Sequence, residues 1–318
     1  MLAYKSVTLQ PARIKIEEIR MEKWILVIGI VGICFLILVL LESKRERRKL
    51  NVTQYNITSK KLRKEEVPKK IVFLSDLHSK EYGVRNQQLV QRIIEEQPDI
   101  ICIGGDMMVG CKADPCTVSL QLIEDLKHLC PIYYANGNHE QRMKWNAASY
   151  GDKYERYKAK LLALGVKLLE NDLETVELGD QFIQIAGIEI PQKYFRKMQY
   201  HKLTQDEFQE RLGESLHTKL QPELFQVLLA HHPMHIDAYR TYHPDLVLSG
   251  HLHGGIIRLP WIGGVITPQL QLFPRWSGEY NKIEDTHFII SKGLGEHTLK
   301  FRFGNIPEVI VIQCQGQK

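Results

Sequence analysis

Five short polar motifs punctuate the chain: Asp76-Leu77-His78, Gly105-Asp106, Gly137-Asn138-His139-Glu140, His231-His232 and Gly250-His251-Leu252-His253. Four of the five follow a run rich in β-branched or aliphatic residues. A short apolar run closed by turn residues reads as a buried strand, so the motifs fall on loops at strand ends. The strand-like runs that lead to them are 70–75, 100–104, 132–135, 226–230 and 246–249. Two later runs, 288–291 and 309–314, lack such ends, and residues 51–59 suit an opening edge strand. Helical periodicity covers 86–96, 117–129 and 150–164. Residues 167–189 read as a strand hairpin, with Leu168, Val176, Phe182 and Ile185 as core positions. Strands alternating with helices predict an α/β domain of layered sheets, with its ligand-binding groups beyond the C-terminal strand ends.

Asp, His and Asn together suit hard or borderline divalent cations. Asp76 and His78 stand two apart past a strand, where a turn can aim both at one ion. Gly104-Gly105 permits a tight turn before Asp106, whose two oxygens can bridge two cations. Asn138 offers a neutral oxygen without adding another negative charge. His231, His251 and His253 supply imidazole nitrogens, and the last two can serve different ions. Any one of these elements alone is an ordinary polar turn. Their occurrence together, in one order and mostly at strand ends, points to a metal centre.

A second feature stands apart from these motifs. Residues 24–41 form eighteen residues without a charge. As a helix this run spans roughly 27 Å, close to a bilayer core. Trp24 suits one interface, and Lys44, Arg45, Arg47, Arg48 and Lys49 follow the other end. No small-x-small cleavage site follows, so an uncleaved anchor is expected rather than a signal peptide. The predicted organisation is an N-terminal segment 1–23, a transmembrane helix 24–41, a basic juxtamembrane linker 42–50 and a catalytic domain 51–318. Seven Lys/Arg lie in the twenty residues after the run and five in the twenty before it, which biases the body toward the cytoplasm. If Met21 is the true start, the bias is stronger. The expected location is therefore a single-pass position in the cell membrane. Residues 1–70 hold sixteen Lys/Arg against seven Asp/Glu, so within an overall charge of +5 the body is net negative. The basic N-terminal part suits an acidic membrane surface or a solvated charged linker, and no nucleic-acid partner is expected. Six scattered cysteines read as reduced thiols, although Cys111 and Cys116 are close enough for a loop disulfide.

The ordered motifs resemble the calcineurin-like metallophosphoesterase superfamily over roughly residues 51–316. The resemblance implies a four-layer α/β/β/α sandwich preceded here by one transmembrane helix. It also implies two divalent metal ions, typically Mn, Fe, Zn or similar. By the family pattern one ion takes Asp76, His78, Asp106 and His253, and the other takes Asp106, Asn138, His231 and His251. His139 is implied as the catalytic acid beside the leaving oxygen. The implied substrate is a phosphate ester or pyrophosphate, attacked by metal-activated hydroxide. Met107 to Cys111 replaces the Asp-Arg-Gly of the serine/threonine phosphatases, and Val109 stands where purple acid phosphatases have a Tyr ligand. The tail from Gly250 to Gly295 is similar to the bacterial membrane-associated branch related to UDP-2,3-diacylglucosamine pyrophosphatases, with Leu252 for the usual Thr and Glu140 for the common Asp. Glu140 is expected to orient His139. The apolar segment 259–276 can meet lipid beside the site or pack as a loop over a sheet edge. A lipid-linked or nucleotide-linked substrate is expected. A tethered phosphodiesterase for soluble substrates and a non-catalytic scaffold are the alternatives.

Overall fold

The computed structural model describes residues 10–317 apart from 197, 200, 297 and 298; the side chains of 10–19, 213–215 and 217 are outside the description. Residues 1–9 of the N-terminal segment therefore lie outside the described residues. In chain order the elements are α1 (Gln10–Arg48), β1 (Asn51–Ser59), β2 (Lys69–Leu74), α2 (Gln87–Glu96), β3 (Ile100–Ile103), α3 (Thr117–Leu126), β4 (Ile132–Ala135), α4 (Asn138–Trp145), α5 (Ala147–Tyr150), α6 (Lys153–Ala163), β5 (Lys167–Leu169), β6 (Asp172–Leu178), β7 (Gln181–Ile188), α7 (Gln205–Lys219), β8 (Phe225–Ala230), α8 (Ile236–Tyr239), β9 (Leu246–Ser249), β10 (Ile257–Leu259), β11 (Gly263–Ile266), β12 (Tyr280–Ile283), β13 (Thr286–Ile290) and β14 (Glu308–Gly316).

The chain divides into two compact units, Met1–Arg45 and Glu46–Lys318. In the first, the stretch Arg20–Arg48 of α1 is long and apolar enough to cross a membrane. Its apolar side chains from Trp24 to Leu41 are exposed rather than packed on protein. The helix runs beyond the expected span and through most of the stretch read as a linker, ending only at Arg48. Glu, Lys and Arg are good helix formers, and the Glu42–Arg45 pair, three apart with one contact at 2.6 Å, supports the extra turns.

In the body, six strands in the order β1-β14-β2-β3-β4-β5 form one sheet, and β12-β13-β9-β8-β7-β6 form a second. Pairing is parallel from β2 to β5 and along β7, β8, β9 and β13. Strands buried on both faces need continuous apolar runs, and Ile71-Val72-Phe73-Leu74 is one. Its side chains alternate. Ile71 and Phe73 join Ile185, Val227 and Leu248 between the sheets. Val72 and Leu74 face α2, α3 and α6 through Leu89, Leu122 and Leu161. The second sheet's other face packs Phe208, Leu212 and Leu216 of α7. The layers are therefore helix, sheet, sheet and helix.

Two readings change. Phe182 is exposed: β7 sets Ile183 and Ile185 between the sheets, and Phe182 points to the opposite face, where Ala186 and Ile188 further along the strand are covered and its start is not. Helix α7 was not anticipated. Its start is a reciprocal cap, with Glu207 N donating to Thr204 Oγ1 and Thr204 N to Glu207 Oε2, both at 3.2 Å. Its sparse apolar residues, four apart, sit in a charge-rich stretch that hides the stripe.

Candidate metal centre

The parallel strands of both sheets bring their C-terminal ends to one place. Asp76 follows β2, Asp106 follows β3 and Asn138 begins α4 just after β4. From the second sheet, His231 follows β8, and His251 and His253 follow β9. Asp76, His78, Asp106, His251 and His253 all have φ between 46° and 69°. A non-glycine residue holds that conformation only where its surroundings fix it, and such residues cluster at functional sites. Backbone bonds do the fixing: Asp76 N donates to Gly105 O and His78 N to Asp106 O, both at 3.0 Å. Gly105 is needed at φ 89°, because an added Cβ would lie 2.1 Å from Gly137 N. That contact presses the Asp106 loop against the Asn138 turn.

Three groups of carboxylate and imidazole atoms converge, each within 4.8 Å: Asp76, His78 and His253; His78, Asp106 and His139; and Asp106, His231 and His251. The nitrogens His78 Nε2 and His253 Nε2 face each other at 3.0 Å, with Asp76 Oδ1 3.3 Å from the latter. Atoms bound at right angles to one ion at about 2.1 Å sit roughly 3 Å apart, so this spacing fits a shared cation. His231 Nδ1 donates to Gly104 O at 2.6 Å, so the nitrogen turned to the centre, open to a cation once it sheds its proton, is Nε2. That atom, His251 Nε2 and Asn138 Oδ1 are buried without a hydrogen-bond partner. Buried lone pairs without donors are costly unless a cation takes them. The residues present therefore fit divalent ions: Asp76, His78, Asp106, His231, His251 and His253 converge, and Asn138 has a buried, unpartnered Oδ1.

The electrostatics agree. Burial works to raise Asp76, but the imidazoles of His253 and His231 hold it far below the usual carboxylate range. Asp106 behaves alike, with burial outweighed by His139, His231 and His78. Burial lowers His78 and His251 well below the usual imidazole value. His231 goes the other way: burial opposes its charge, yet Asp106 and Asp76 lift it to about 9. Two buried carboxylates thus call for positive charge, supplied by a proton or by a metal.

His139 lies in the centre, with its ring 4.7 Å from that of His78 and its Nε2 3.8 Å from Asp106 Oδ2. Its Nδ1 meets Val109 O, and Arg142 Nη2 is 3.2 Å from the same nitrogen. Glu140 does not orient His139. Its buried carboxylate accepts from Asp106 N, Met107 N and Gly137 N at 3.0–3.1 Å and from Tyr134 Oη at 2.6 Å. It therefore locks the Asp106 loop to the Asn138 turn. Sequence reasoning missed Phe195, whose ring lies 5.1 Å from His251, 5.2 Å from His232 and 6.2 Å from His231. A lone Phe in a loop carries no pattern that could have flagged it. The six cysteines are all free thiols.

The profile of the family described as calcineurin-like phosphoesterase matches residues 69–255. The chain is 29% identical to the uncharacterized metallophosphoesterase YkuE of Bacillus subtilis over 78% of its own length and 79% of that protein. It is 28% identical to an uncharacterized metallophosphoesterase of Aquifex aeolicus over 84% of its length and 93% of that protein. To phosphodiesterase YaeI of Escherichia coli it is 23% identical over 77% and 82%. With a profile that spans more than half of the chain and all seven candidate ligand positions, the chain belongs to the calcineurin-like phosphoesterases, metal-dependent hydrolases of phosphoric esters.

Proposed function

We propose that this chain is a membrane-anchored, two-metal phosphoesterase that cleaves a phosphodiester or pyrophosphate bond in a lipid-linked or nucleotide-linked substrate. One observation carries the two-metal reading: His78 and Asp106 join three ligand clusters into one continuous centre. Asp76, His78, Asp106 and His253 would hold one ion, and Asp106, Asn138, His231 and His251 would hold the other. Bound divalent ions supply a low-pKa water and neutralise phosphate charge. The chain's own groups do the rest. Glu140 fixes Asp106 between the two ligand sets. His139 keeps Nδ1 on the Val109 carbonyl, so Nε2 is the atom that faces a leaving oxygen. Burial, aided by Arg142 and opposed by Asp106, lowers the proton affinity of His139. To act as an acid it relies on the negative charge of a bound phosphate ester to restore that proton.

Two features support the membrane and lipid parts of the reading. The exposed apolar stretch of α1 has bilayer-spanning length. In addition, Trp261 is fully exposed and Ile262, Leu270, Leu272 and Phe273 are each more than half exposed, on the segment that follows His253. Exposed apolar side chains concentrated in one short segment suit an interaction surface, and Trp261 and Phe273 suit the headgroup boundary. Trp276 instead packs on the core. The similarity to a protein named as a phosphodiesterase favours a diester over a monoester.

The test uses the full chain in lipid nanodiscs, stripped of metal and given Mn back. Mn-dependent hydrolysis of bis(p-nitrophenyl) phosphate is expected, lost in Asp106→Asn and reduced about 10²–10⁴-fold in His139→Ala. The triple change Trp261→Ser, Leu272→Ser and Phe273→Ser is expected to lower turnover of a lipid pyrophosphate while sparing the chromogenic diester. Equal loss on both substrates would make the segment structural, and no loss on either would favour soluble substrates. No turnover with any metal would favour the scaffold.

A further inference from the structure

The support for one half of the metal centre reaches an unexpected part of the chain. His253 leads through Gly254-Gly255 toward β10. Asn305, in the loop before β14, clasps that stretch: its Nδ2 donates to His253 O at 2.6 Å and Gly255 O at 2.5 Å. The fit is close, since a Cβ on Gly254 would lie 2.4 Å from Asn305 Oδ1. Asn305 is itself held from behind by Glu46. The Glu46 carboxylate is only 5% exposed and accepts from Gly304 N and Asn305 N, both at 3.0 Å. Glu46 is the first residue of the compact body and lies in the last turn of α1.

The next residue reaches the other ligands of the same cluster. Arg47 forks onto Glu296 at 2.6 and 2.8 Å, and its carbonyl accepts from Lys80 Nζ at 2.6 Å. Glu296 follows Gly295, whose N donates to Asp76 O at 2.6 Å and whose O accepts from Arg302 at 2.7 Å. Lys80 lies two residues past His78. Two adjacent residues thus brace the backbone around Asp76, His78 and His253, which form one ligand cluster. Among the described residues, Glu46 and Arg47 make no hydrogen bond to the loops of His231 or His251.

We infer that Glu46 and Arg47 are positioning residues for the ion held by Asp76, His78 and His253, so that the end of the anchoring helix is part of that ion's support. The inference rests on the reading of this cluster as a metal site. Its physical basis is that groups which orient ligands from behind contribute typically 10–100-fold to metal affinity. A body cut after Arg47 loses this brace, whereas one that begins at Glu46 keeps it.

The test is Mn titration of the metal-free full chain in nanodiscs, read by the number of ions bound and the Kd of each, with thermal unfolding alongside. Wild type is expected to bind two ions. Glu46→Ala and Arg47→Ala are expected to weaken one ion about 10–100-fold and leave the other unchanged. Arg48→Ala, at an exposed position, is expected to change neither. If Glu46→Ala does not fold, Glu46→Gln, which keeps one acceptor oxygen, is expected to give a smaller shift of the same single ion. Unchanged Kd values for both ions in folded variants would overturn the inference. So would equal weakening of both ions with a lower unfolding temperature, which is what general loosening produces. A wild type that binds no Mn would overturn the metal reading itself, and the inference with it.

Discussion

Replacing Gly105 by Ala tests one of the closest backbone contacts at the candidate metal centre. Gly105 has φ 89°, and an added Cβ would sit 2.1 Å from Gly137 N, 2.5 Å from Gly137 Cα and 2.8 Å from the Asn136 carbonyl carbon. All three are backbone atoms, so no side chain can swing aside. The conformational cost of Ala at positive φ is about 1–2 kcal/mol. Overpacking against rigid neighbours adds about 1–3 kcal/mol. The total, about 2–5 kcal/mol, corresponds to a fall in unfolding temperature of roughly 10 °C for a body of this size. Gly165 supplies the control, with φ 85° and nothing within 4 Å of an added Cβ. Gly165→Ala isolates the conformational term, and the difference between the two variants is the clash. Relief of the clash must also move Asp106, the residue after Gly105, away from the Asn138 turn. A displacement near 1 Å costs on the order of 100-fold in turnover. The assay is thermal unfolding of the metal-free chain together with Mn-dependent hydrolysis of bis(p-nitrophenyl) phosphate. The reasoning fails if Gly105→Ala is no less stable than Gly165→Ala, or if it is less stable yet keeps wild-type turnover.

Three further outcomes follow from the same geometry. Burial first, and the Asp106 charge second, push the Glu140 carboxyl up to about 7, against the hydrogen bonds from Tyr134 and the backbone. A carboxyl raised above its unfolded value of 4.5 favours the fold while protonated, so metal-free stability should fall as pH rises from 4.5 through 7. Glu140→Gln should flatten that part of the profile, and an unchanged slope would refute the assignment. Gly295→Ala should abolish the ion at Asp76, since its Cβ would lie 2.0 Å from Leu77 O; Mn stoichiometry reads this directly. Burial raises the thiols of Cys116, Cys130 and Cys314 to about 11, 12 and 12, whereas Cys111 is exposed. A thiol reagent at pH 8 should therefore modify Cys111 quickly and the other three only after denaturation.

Local chemistry made much of this molecule legible. The apolar runs at Ile71, Ile100, Ile132, Val227 and Leu246 could only be buried strands, and each did form one. Because a strand end releases its chain at the sheet's edge, the polar residues that followed were bound to lie together. That is why Asp76, His78, Asp106, Asn138, His231, His251 and His253 could be named in advance. Residues whose role depends on a distant partner could not. Phe182 missed the core because strand register, set by the neighbours of β7, decides parity. Helix α7 escaped notice because Phe208, Leu212 and Leu216 signal only weakly until a sheet is there to cover them.

The sequence by itself determined the alternation of strand and helix, the candidate ligands and the apolar helix that precedes the body. Each of these rests on periodicity or side-chain chemistry within a few residues. Only the tertiary structure decided what braces the ligands. Glu140 grips Met107 across 33 positions, and Glu46 grips Asn305 across 259. A buried carboxylate takes whichever backbone donors the fold leaves unpaired near it, and those donors exist only once both sheets have closed around the centre.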